Sequence, residues 1–189
     1  MRITGGILLS RQVKVSGDNI RPSMDRMRES VFAVLGDLGG KSFLDLFSGS
    51  GIIALEAASR GASYVEAVEM DILKRKTLLE NVKISPLRIK CRFMPVERYV
   101  KRAKRTEGSR TFDLIFCDPP FPYRHKRELL NSIAFSPLMA PGSRLLLHRP
   151  REEALNTDSR PLDSALVLES SREFGRSVVD FFTLFLKKI

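Results

Sequence analysis

The sequence has few cysteines and no long apolar run. Its 189 residues include two cysteines, Cys91 and Cys117, with no C-x-x-C pair, which argues against a disulfide framework and a zinc site. Both thiols lie in apolar, strand-like runs, where we expect them to be buried. No apolar run approaches the roughly 18 residues of a membrane span, and the one in MRITGGILLSRQ is too short for a signal peptide. We expect one structural unit, located in the cytoplasm.

Acidic residues are few relative to basic ones. The chain has 32 Lys and Arg residues against 22 Asp and Glu residues, a formal charge of +10. A charge of this size indicates a polyanionic partner, either nucleic acid or an anionic membrane. A basic surface that serves only solubility is the alternative.

Strand-like and helix-like segments alternate through most of the chain. Residues 1–22 have the pattern of an irregular strand or hairpin, and Ser23 is placed to cap a helix over about 24–36. The predicted strands are 42–47, 63–70, 88–94, 112–117 and 143–148, with helices at 51–60, 71–81, 96–104 and 124–133, and two final strands, 164–174 and 177–188. This order predicts a three-layer α/β fold whose sheet is mostly parallel, with an antiparallel C-terminal hairpin.

A glycine-rich turn joins the first of these strands to a helix, in LDLFSGSGIIALEAA. Gly49 and Gly51 permit a tight turn and a close approach of the backbone to a ligand. Asp45 precedes the turn, and Glu69 ends the next strand, where an acid can accept hydrogen bonds from both hydroxyls of a ribose. The arrangement predicts a nucleoside-cofactor site at the carboxyl ends of parallel strands.

Asp45 bears on which nucleoside is bound. A dinucleotide such as NAD would place its pyrophosphate at the loop and the helix start. The third fingerprint position is Ala54, which that fingerprint tolerates, so the glycine spacing leaves NAD open. A carboxylate beside the loop would repel a pyrophosphate and would suit the cationic amino-acid end of S-adenosylmethionine, which favours the methyl donor.

An apolar strand ends abruptly at Asp118 in FDLIFCDPPFPYRHKRE. Pro119 and Pro120 have no N–H, so they cannot extend a strand ladder, and they present bare carbonyl oxygens. A carboxylate and a carbonyl together can hold both hydrogens of an exocyclic amine in line with a methyl sulfonium, and the carboxylate offsets the charge that develops on nitrogen. Phe121 offers a face to a flipped base. A turn without chemistry is the alternative.

Two basic runs accompany these motifs, RYVKRAKR at 98–105 and YRHKR at 123–127. The second follows the predicted base clamp directly, so its side chains would meet the phosphates beside a flipped nucleotide, and its tyrosine could stack on a base. The first run fits an RNA surface and a solvated helix face equally well. His125 and His148 are not expected to be ligands or bases, although a supporting role for His148 beside the crevice is open.

The motifs DLFSGSG, VEMD and DPPF together resemble the class I S-adenosylmethionine-dependent methyltransferases that modify exocyclic amines of nucleobases. The N-terminal RITGG and RPSMDRMRESVF and the C-terminal FGRSVVDFF are similar to the bacterial RsmD family, and the similarity extends over nearly the whole chain. The resemblance implies a Rossmann-like methyltransferase domain over 23–189 after a small extension at 1–22. It also implies transfer to guanine N2 in small-subunit ribosomal RNA, free or in an assembling 30S particle, by a monomer without a metal or a membrane.

The motifs also imply roles for single residues. The predicted cofactor-binding residues are Asp45, Phe47, Gly49, Gly51, Glu69, Met70 and Met94. The predicted base-clamp residues are Asp118, Pro119, Pro120 and Phe121. The predicted RNA-contacting residues are Arg21, Arg26 and Arg28 in the N-terminal motif, together with Tyr123, Arg124, Lys126 and Arg127. We expect the helix that carries the N-terminal motif to cover the crevice, with Met27, Val31 and Val34 packed inward; for its arginines a solvated helix face is the alternative.

One position departs from the superfamily pattern. After the third strand, an acidic or amide residue and then a small one often read the edge of the adenine. Here the equivalents are Met94, which cannot accept from the adenine amine, and Pro95, which has no N–H to donate. Either Glu97 substitutes, or the adenine is held mainly by apolar contact.

Two other functions fit parts of the pattern. A DNA adenine or cytosine amino methyltransferase would share the clamp, but such enzymes usually need a sequence-reading domain, and no such segment is visible. A basic α/β module that binds RNA without turnover would not need Asp118 with its prolines and Phe121. The acid itself favours guanine, because the N2 amine and N1–H are adjacent donors and an ionised carboxylate only accepts.

Overall fold

A computed structural model describes residues 1–15, 22–103, 108–153 and 165–185. The helices are α1 (Pro22–Leu35), α2 (Ile52–Ser59), α3 (Arg75–Val82), α4 (Val96–Ala103) and α5 (Lys126–Ala134). The strands are β1 (Ser42–Leu46), β2 (Tyr64–Glu69), β3 (Lys90–Phe93), β4 (Leu114–Cys117), β5 (Arg144–Pro150), β6 (Leu166–Phe174) and β7 (Ser177–Leu184). Short 3₁₀ turns span Gly6–Leu8 and Ile72–Lys74.

The seven strands form one sheet in the order β3-β2-β1-β4-β5-β7-β6. Strands β1 to β5 are parallel to one another, and β7 pairs antiparallel with both β5 and β6. The predicted architecture is therefore confirmed. The order reverses between β1 and β4, and ligands of open α/β sheets bind outside the strand ends at such a point.

Three predicted boundaries differ from the structure for local reasons. Helix α1 begins at Pro22, since proline is favoured at the first helical position, and Ser23 lies inside the helix rather than capping it. The helix predicted over 71–81 is divided, because the Asp71 carboxylate accepts from the Leu73 N–H and caps a separate 3₁₀ turn. Helix α5 begins only at Lys126, after a turn in which the Tyr123 N–H bonds to the Pro120 carbonyl at 2.8 Å.

Two apolar cores cover the two faces of the sheet, as three-layer packing requires. One contains the N-terminal segment with α1 and α2, and the other contains α4 and α5. Met27 and Val31 of α1 are buried in the first core and Val34 is partly buried, so the predicted inward face is confirmed. Cys117 is buried and Cys91 is partly buried.

The N-terminal residues 1–15 form an irregular hairpin that packs into the first core. Its two arms are joined by the Ile3 N–H bond to the Arg11 carbonyl and by the Val13 N–H bond to the Met1 carbonyl. The carboxylate of Glu56 in α2 is fully buried and accepts from the Thr4 backbone and hydroxyl, at 2.8 and 2.9 Å. The N-terminal segment is therefore fastened to α2. No helix in the described ranges is long and apolar enough to cross a membrane.

Candidate active site

The carboxyl ends of β1, β2 and β4 meet at one edge of the sheet. Leu46 of β1 is paired with Val68 of β2 on one side and with Cys117 of β4 on the other. The segments that follow these strands, Phe47–Gly51, Met70–Asp71 and Asp118–Phe121, therefore begin side by side. The structure thus brings the predicted glycine turn, strand-end acid and proline turn together.

The glycine turn between β1 and α2 has left-handed backbone at three alternate residues. Phe47, Gly49 and Gly51 have φ values of 62°, 56° and 82°. A Cβ on Gly51 would lie 2.5 Å from Leu78 Cδ1, whereas a Cβ on Gly49 would have no described atom within 4 Å. Gly51 is therefore needed for packing against α3, and Gly49 leaves open space in which a ligand can approach the backbone.

Asp45 fastens this turn from beneath. Its carboxylate is buried and accepts from the Ser48 hydroxyl at 2.6 Å and from the Ala54 N–H in α2 at 3.1 Å. Burial raises the pKa of Asp45 to about 7; the two hydrogen bonds lower it, and the charges of Asp118 and Glu69 raise it further. A cation placed beside the turn would favour the ionised form.

Glu69 holds the turn from the side. It is 4% exposed, and its oxygens accept from the Gly49 N–H at 2.7 Å and from the Asp71 N–H at 2.8 Å. A carboxylate offers about four lone-pair sites, so these two bonds leave acceptor capacity for ribose hydroxyls. The predicted ribose role stays a prediction, and bracing of the glycine turn is a second role that sequence reasoning missed.

Apolar side chains lie exposed beside Glu69. Met70 and Ile72 are 61% and 62% exposed, in the segment directly after β2. Large apolar side chains in that position offer a surface on which a planar base can lie. Met94, by contrast, packs against the core that contains α4, while its N–H bonds to the Glu69 carbonyl at 3.1 Å. Its predicted contact with a cofactor stays a prediction.

Asp118 opens the proline turn after β4 and is held at both its backbone and its side chain. Its N–H bonds to the Leu46 carbonyl at 3.2 Å, which ties the turn to β1. One carboxylate oxygen lies 2.8 Å from Nδ1 of His148 in β5. The His148 ring also contacts the ring of Phe121 edge to face, with centroids 5.7 Å apart.

His148 is the supporting residue that the sequence left open. It is 6% exposed, and Nε2 is buried without a hydrogen-bond partner among the described residues. Since Nδ1 faces Asp118 and the ring faces Phe121, the histidine fixes the relative placement of the acid and the aromatic ring. Phe121 itself is 43% exposed, so one part of its ring is open to a partner.

Tyr123 connects the proline turn to the glycine turn. Its ring contacts the Phe47 ring edge to face at 5.6 Å, and its hydroxyl donates to Glu97 at 2.6 Å. Burial and the Glu97 carboxylate raise the pKa of the Tyr123 hydroxyl, which keeps it a neutral donor. The Tyr123 and Phe47 rings thus link the two turns.

Lys126 does not belong to the predicted RNA surface. It is 1% exposed, and its ammonium donates to the carbonyls of Phe121 and Tyr123 and to the Glu153 carboxylate at 2.8 Å. A buried ammonium that is fully engaged in this way cannot reach a phosphate in solvent. These bonds hold the turn that follows the predicted base-clamp residues. Of its neighbours, Arg124 is exposed, and Arg127 is partly buried.

Arg28 also leaves the predicted RNA-contacting set. It is 1% exposed, and it donates to Glu56 at 3.1 Å, to Asp25 at 2.6 Å and to the Arg2 carbonyl at 2.9 Å. The guanidinium therefore joins α1 to α2 and to the N-terminal hairpin. Arg26 is exposed on α1, and Arg21 lies outside the described residues. Within the described ranges, no three His, Cys, Asp or Glu side chains are placed to hold a metal ion.

Comparison with known proteins agrees with this geometry. The family described as Conserved hypothetical protein 95 matches residues 1–183. YlbH of Bacillus subtilis (strain 168) is 34% identical over 138 residues, which cover 70% of this chain and 73% of that protein. Ribosomal RNA small subunit methyltransferase D of Haemophilus influenzae is 26% identical over 163 residues, 83% of this chain and 82% of that protein.

A solved structure of yhhF from Escherichia coli has the same fold, with a TM-score of 0.83 at 23% identity over 99% of both chains. The family match extends from the N-terminal hairpin to β7, so it includes both motifs of the candidate site. The chain belongs to this family, that of the RsmD-type ribosomal RNA methyltransferases.

Proposed function

We propose that this protein transfers a methyl group from S-adenosylmethionine to the exocyclic N2 amine of a guanine in small-subunit ribosomal RNA. One observation carries the proposal: the Asp118–Phe121 turn starts beside the glycine turn, because β4 pairs with β1 and the Asp118 N–H bonds to Leu46. A base acceptor and a nucleoside cofactor site at adjoining strand ends suit direct group transfer. The family and its named relatives support ribosomal RNA as the substrate class.

The residues around the glycine turn fit the cofactor. When bound, S-adenosylmethionine supplies an electrophilic methyl group on a sulfonium. The open side of Gly49 admits its methionine part, and the buried Asp45 offers negative charge to the ammonium. Glu69 would accept from the ribose, and Met70 with Ile72 would cover the adenine. A methyltransferase of the same fold was solved in complex with S-adenosylhomocysteine, at 17% identity and a TM-score of 0.70.

The proline turn then orients the acceptor amine. The Asp118 carboxylate and the Pro119 carbonyl would accept its two hydrogens, which leaves the nitrogen lone pair directed at the methyl group. The carboxylate would also stabilise the positive charge on nitrogen as the nitrogen–carbon bond forms and the sulfur–carbon bond breaks, after which the nitrogen loses one proton to solvent. His148 keeps Asp118 in one position, since its Nδ1 lies 2.8 Å from the carboxylate, and Phe121 offers its exposed ring to the base.

The acid favours guanine over adenine and cytosine. In guanine the N2 amine lies beside N1–H, so both carboxylate oxygens of Asp118 can accept from one edge. In adenine and cytosine the amine lies beside an acceptor nitrogen, which repels a second oxygen. In a duplex the guanine edge is paired, so the target lies in a loop or junction from which it can be splayed out.

Nucleoside analysis of ribosomal RNA tests the proposal. RNA from cells that lack the protein is digested to nucleosides and compared with RNA from cells that express the wild type or Asp118→Ala. We expect N2-methylguanosine to fall in the deletion and to return only with the wild type. N6-methyladenosine or N4-methylcytosine as the only restored product would contradict the base assignment. Unchanged nucleosides in all strains would contradict the activity.

A further inference from the structure

We propose that a cavity at the β3 edge of the sheet binds a phosphate group of the RNA, separately from the base clamp. The cavity has a volume of about 410 Å³ and lies between β2, β3, the end of α4 and residues 108–110. We call it the edge pocket and define it by Tyr64, Lys90, Arg92, Tyr99, Arg102 and Arg110. The inference rests on the proposed function, because it names a second contact of the same substrate.

The basic end of the edge pocket lies far from the glycine turn. Tyr64 begins β2 and Glu69 ends it, so the two are about 17 Å apart at about 3.3 Å per residue. Lys90 likewise begins β3. Helix α4 starts just after the carboxyl end of β3, and Arg102 lies at the other end of that helix. Met94, a predicted cofactor contact, also lines the cavity, but an anion bound beside Tyr64 and Lys90 would lie too far from Glu69 to be the base in the clamp or the cofactor.

The charge of the pocket favours an anion. Four cations, Lys90, Arg92, Arg102 and Arg110, surround one acid, Glu66, which leaves a net charge of three positive, four minus one. Lys90, Arg102 and Arg110 are exposed at its rim, where an incoming phosphate can reach them. Concave sites lined by charge of one sign concentrate the field.

The one acid among the lining residues, Glu66, already has hydrogen-bond partners within the pocket wall. Glu66 is 4% exposed, and it accepts from Arg92 Nε at 2.7 Å and from the Tyr64 hydroxyl at 2.7 Å. Burial and Glu66 raise the pKa of Tyr64 to about 12, so the phenol stays a neutral donor. Nε is one of five N–H donors on a guanidinium, so this ion pair is compatible with a second partner for Arg92. Glu66 therefore holds Arg92 and Tyr64 in place, and its repulsion of a bound anion is the smaller effect.

The positive surface around the pocket favours a phosphate within a chain. The Arg110 guanidinium carbon lies over the Tyr64 ring, 4.1 Å from its centroid, and this contact holds a planar donor group at the cavity. Arg98 and Lys101 lie exposed on the same helix as Arg102 and extend the positive surface beyond the cavity. A polyanion would use both the cavity and this surface, whereas a single small anion would use only the cavity. The basic run at 98–105, which the sequence left open, thereby gains a binding role over its described part.

Salt-dependent RNA binding tests the edge pocket. The probe is a small-subunit ribosomal RNA fragment, titrated by fluorescence anisotropy at several salt concentrations with S-adenosylhomocysteine present. The variant is Lys90→Gln with Arg110→Gln, and the matched control is Lys76→Gln with Lys83→Gln, two exposed lysines in and directly after α3. The loss of one phosphate contact should lower the magnitude of the slope of log K against log salt by about 0.7–0.9. The control variant should keep the wild-type slope.

The outcomes separate this inference from the proposed function. A wild-type slope in the pocket variant overturns the inference alone, and so does an equal loss of slope in the control variant. Binding of guanosine monophosphate or inorganic phosphate that is lost in the pocket variant, while that variant keeps the wild-type RNA slope, also overturns it and assigns the cavity to a small anion. Nucleoside analysis, which tests the proposed function, does not depend on any of these results. A pocket-specific loss of slope supports the inference.

Discussion

Two aspartates at the ends of neighbouring parallel strands occupy different environments. Asp45 lies in β1, is 1% exposed, and accepts hydrogen bonds from the glycine turn and from α2. Asp118 follows β4, keeps 28% of its side chain exposed, and is paired with His148. The strands themselves are hydrogen-bonded neighbours. Asp45 is thus buried and holds the glycine turn, whereas Asp118 is partly exposed in the proline turn.

This difference matches the two proposed roles, in which Asp45 serves the cofactor and Asp118 the substrate. The buried acid organises the backbone that would receive the cofactor, and its burial raises its pKa to about 7. The half-exposed acid is held in place by a histidine from a third strand and remains accessible to an amine. Substitutions should therefore separate binding from turnover, and three measurements test that separation.

The largest effect is expected for Asp118→Ala. Loss of an acceptor that acts on developing charge should lower kcat about 10²–10³-fold, while the Kd for S-adenosylhomocysteine stays unchanged because Asp118 is outside the glycine turn. Single-turnover methylation and calorimetry measure the two. Asp118→Asn is the matched control for folding, since its amide oxygen can still accept from His148, yet its NH₂ opposes guanine N1–H and should lower kcat to a similar extent. Equal losses in kcat and in cofactor binding would contradict the assignment of Asp118 to the substrate alone.

An intermediate effect is expected for Glu69→Ala on the cofactor side. Removing charge-assisted hydrogen bonds should weaken cofactor binding by about 1.5–3 kcal/mol, because Glu69 both braces Gly49 and faces the proposed ribose site. Glu69→Gln should weaken binding less, since one acceptor oxygen remains. Calorimetry with S-adenosylhomocysteine decides, and a wild-type Kd in Glu69→Ala would refute the ribose role.

The smallest effect concerns the pH dependence of Asp45. Its pKa in the folded protein is raised from 3.8 to about 7, so the carboxyl is mostly protonated at pH 6 and mostly ionised at pH 8. A bound ammonium favours the ionised form, so cofactor affinity should rise with pH, by up to about tenfold across this window. For folding without cofactor the sign is opposite: the stability from this group is present below its unfolded pKa and is lost as pH rises through about 7.

Asp45→Asn isolates this effect, because titration of the ligand amine is common to both proteins. The ratio of wild-type to variant affinity should increase between pH 6 and pH 8. A constant ratio would place the ammonium elsewhere and would leave Asp45 as a structural acid that only holds Ser48 and the start of α2.

The order of elements, the glycine turn and the proline turn could be predicted from the sequence. Period-two and helical patterns report which backbone is favoured locally, and Gly49, Gly51, Pro119 and Pro120 restrict or free the backbone wherever they occur. The resulting strand ends are confirmed to meet at one edge. These features depend on neighbours within a few residues, so a single sequence carries them.

Burial of charge could not be predicted in the same way. Arg28 and Lys126 belong to basic motifs, yet both are 1% exposed because Glu56 and Glu153, 28 and 27 residues away, supply their counter-charges. For Lys126 a signal was present: Leu129, Leu130 and Ile133 follow it on the buried face of α5. Burial of that apolar face outweighs the cost of removing the Lys126 ammonium from water, once the ammonium has made its hydrogen bonds.

What the sequence determined by itself was the local chemistry: a left-handed glycine turn, an acid at or beside the ends of β1, β2 and β4, and a proline stop after Asp118. What only the tertiary structure decided was the partner of each charge. His148 is 30 residues from Asp118, and only the pairing of β5 with β4 brings its Nδ1 within 2.8 Å of that carboxylate. The pKa of Asp45 depends likewise on packing from every side. Backbone preference is local, whereas burial and electrostatics are sums over the whole fold.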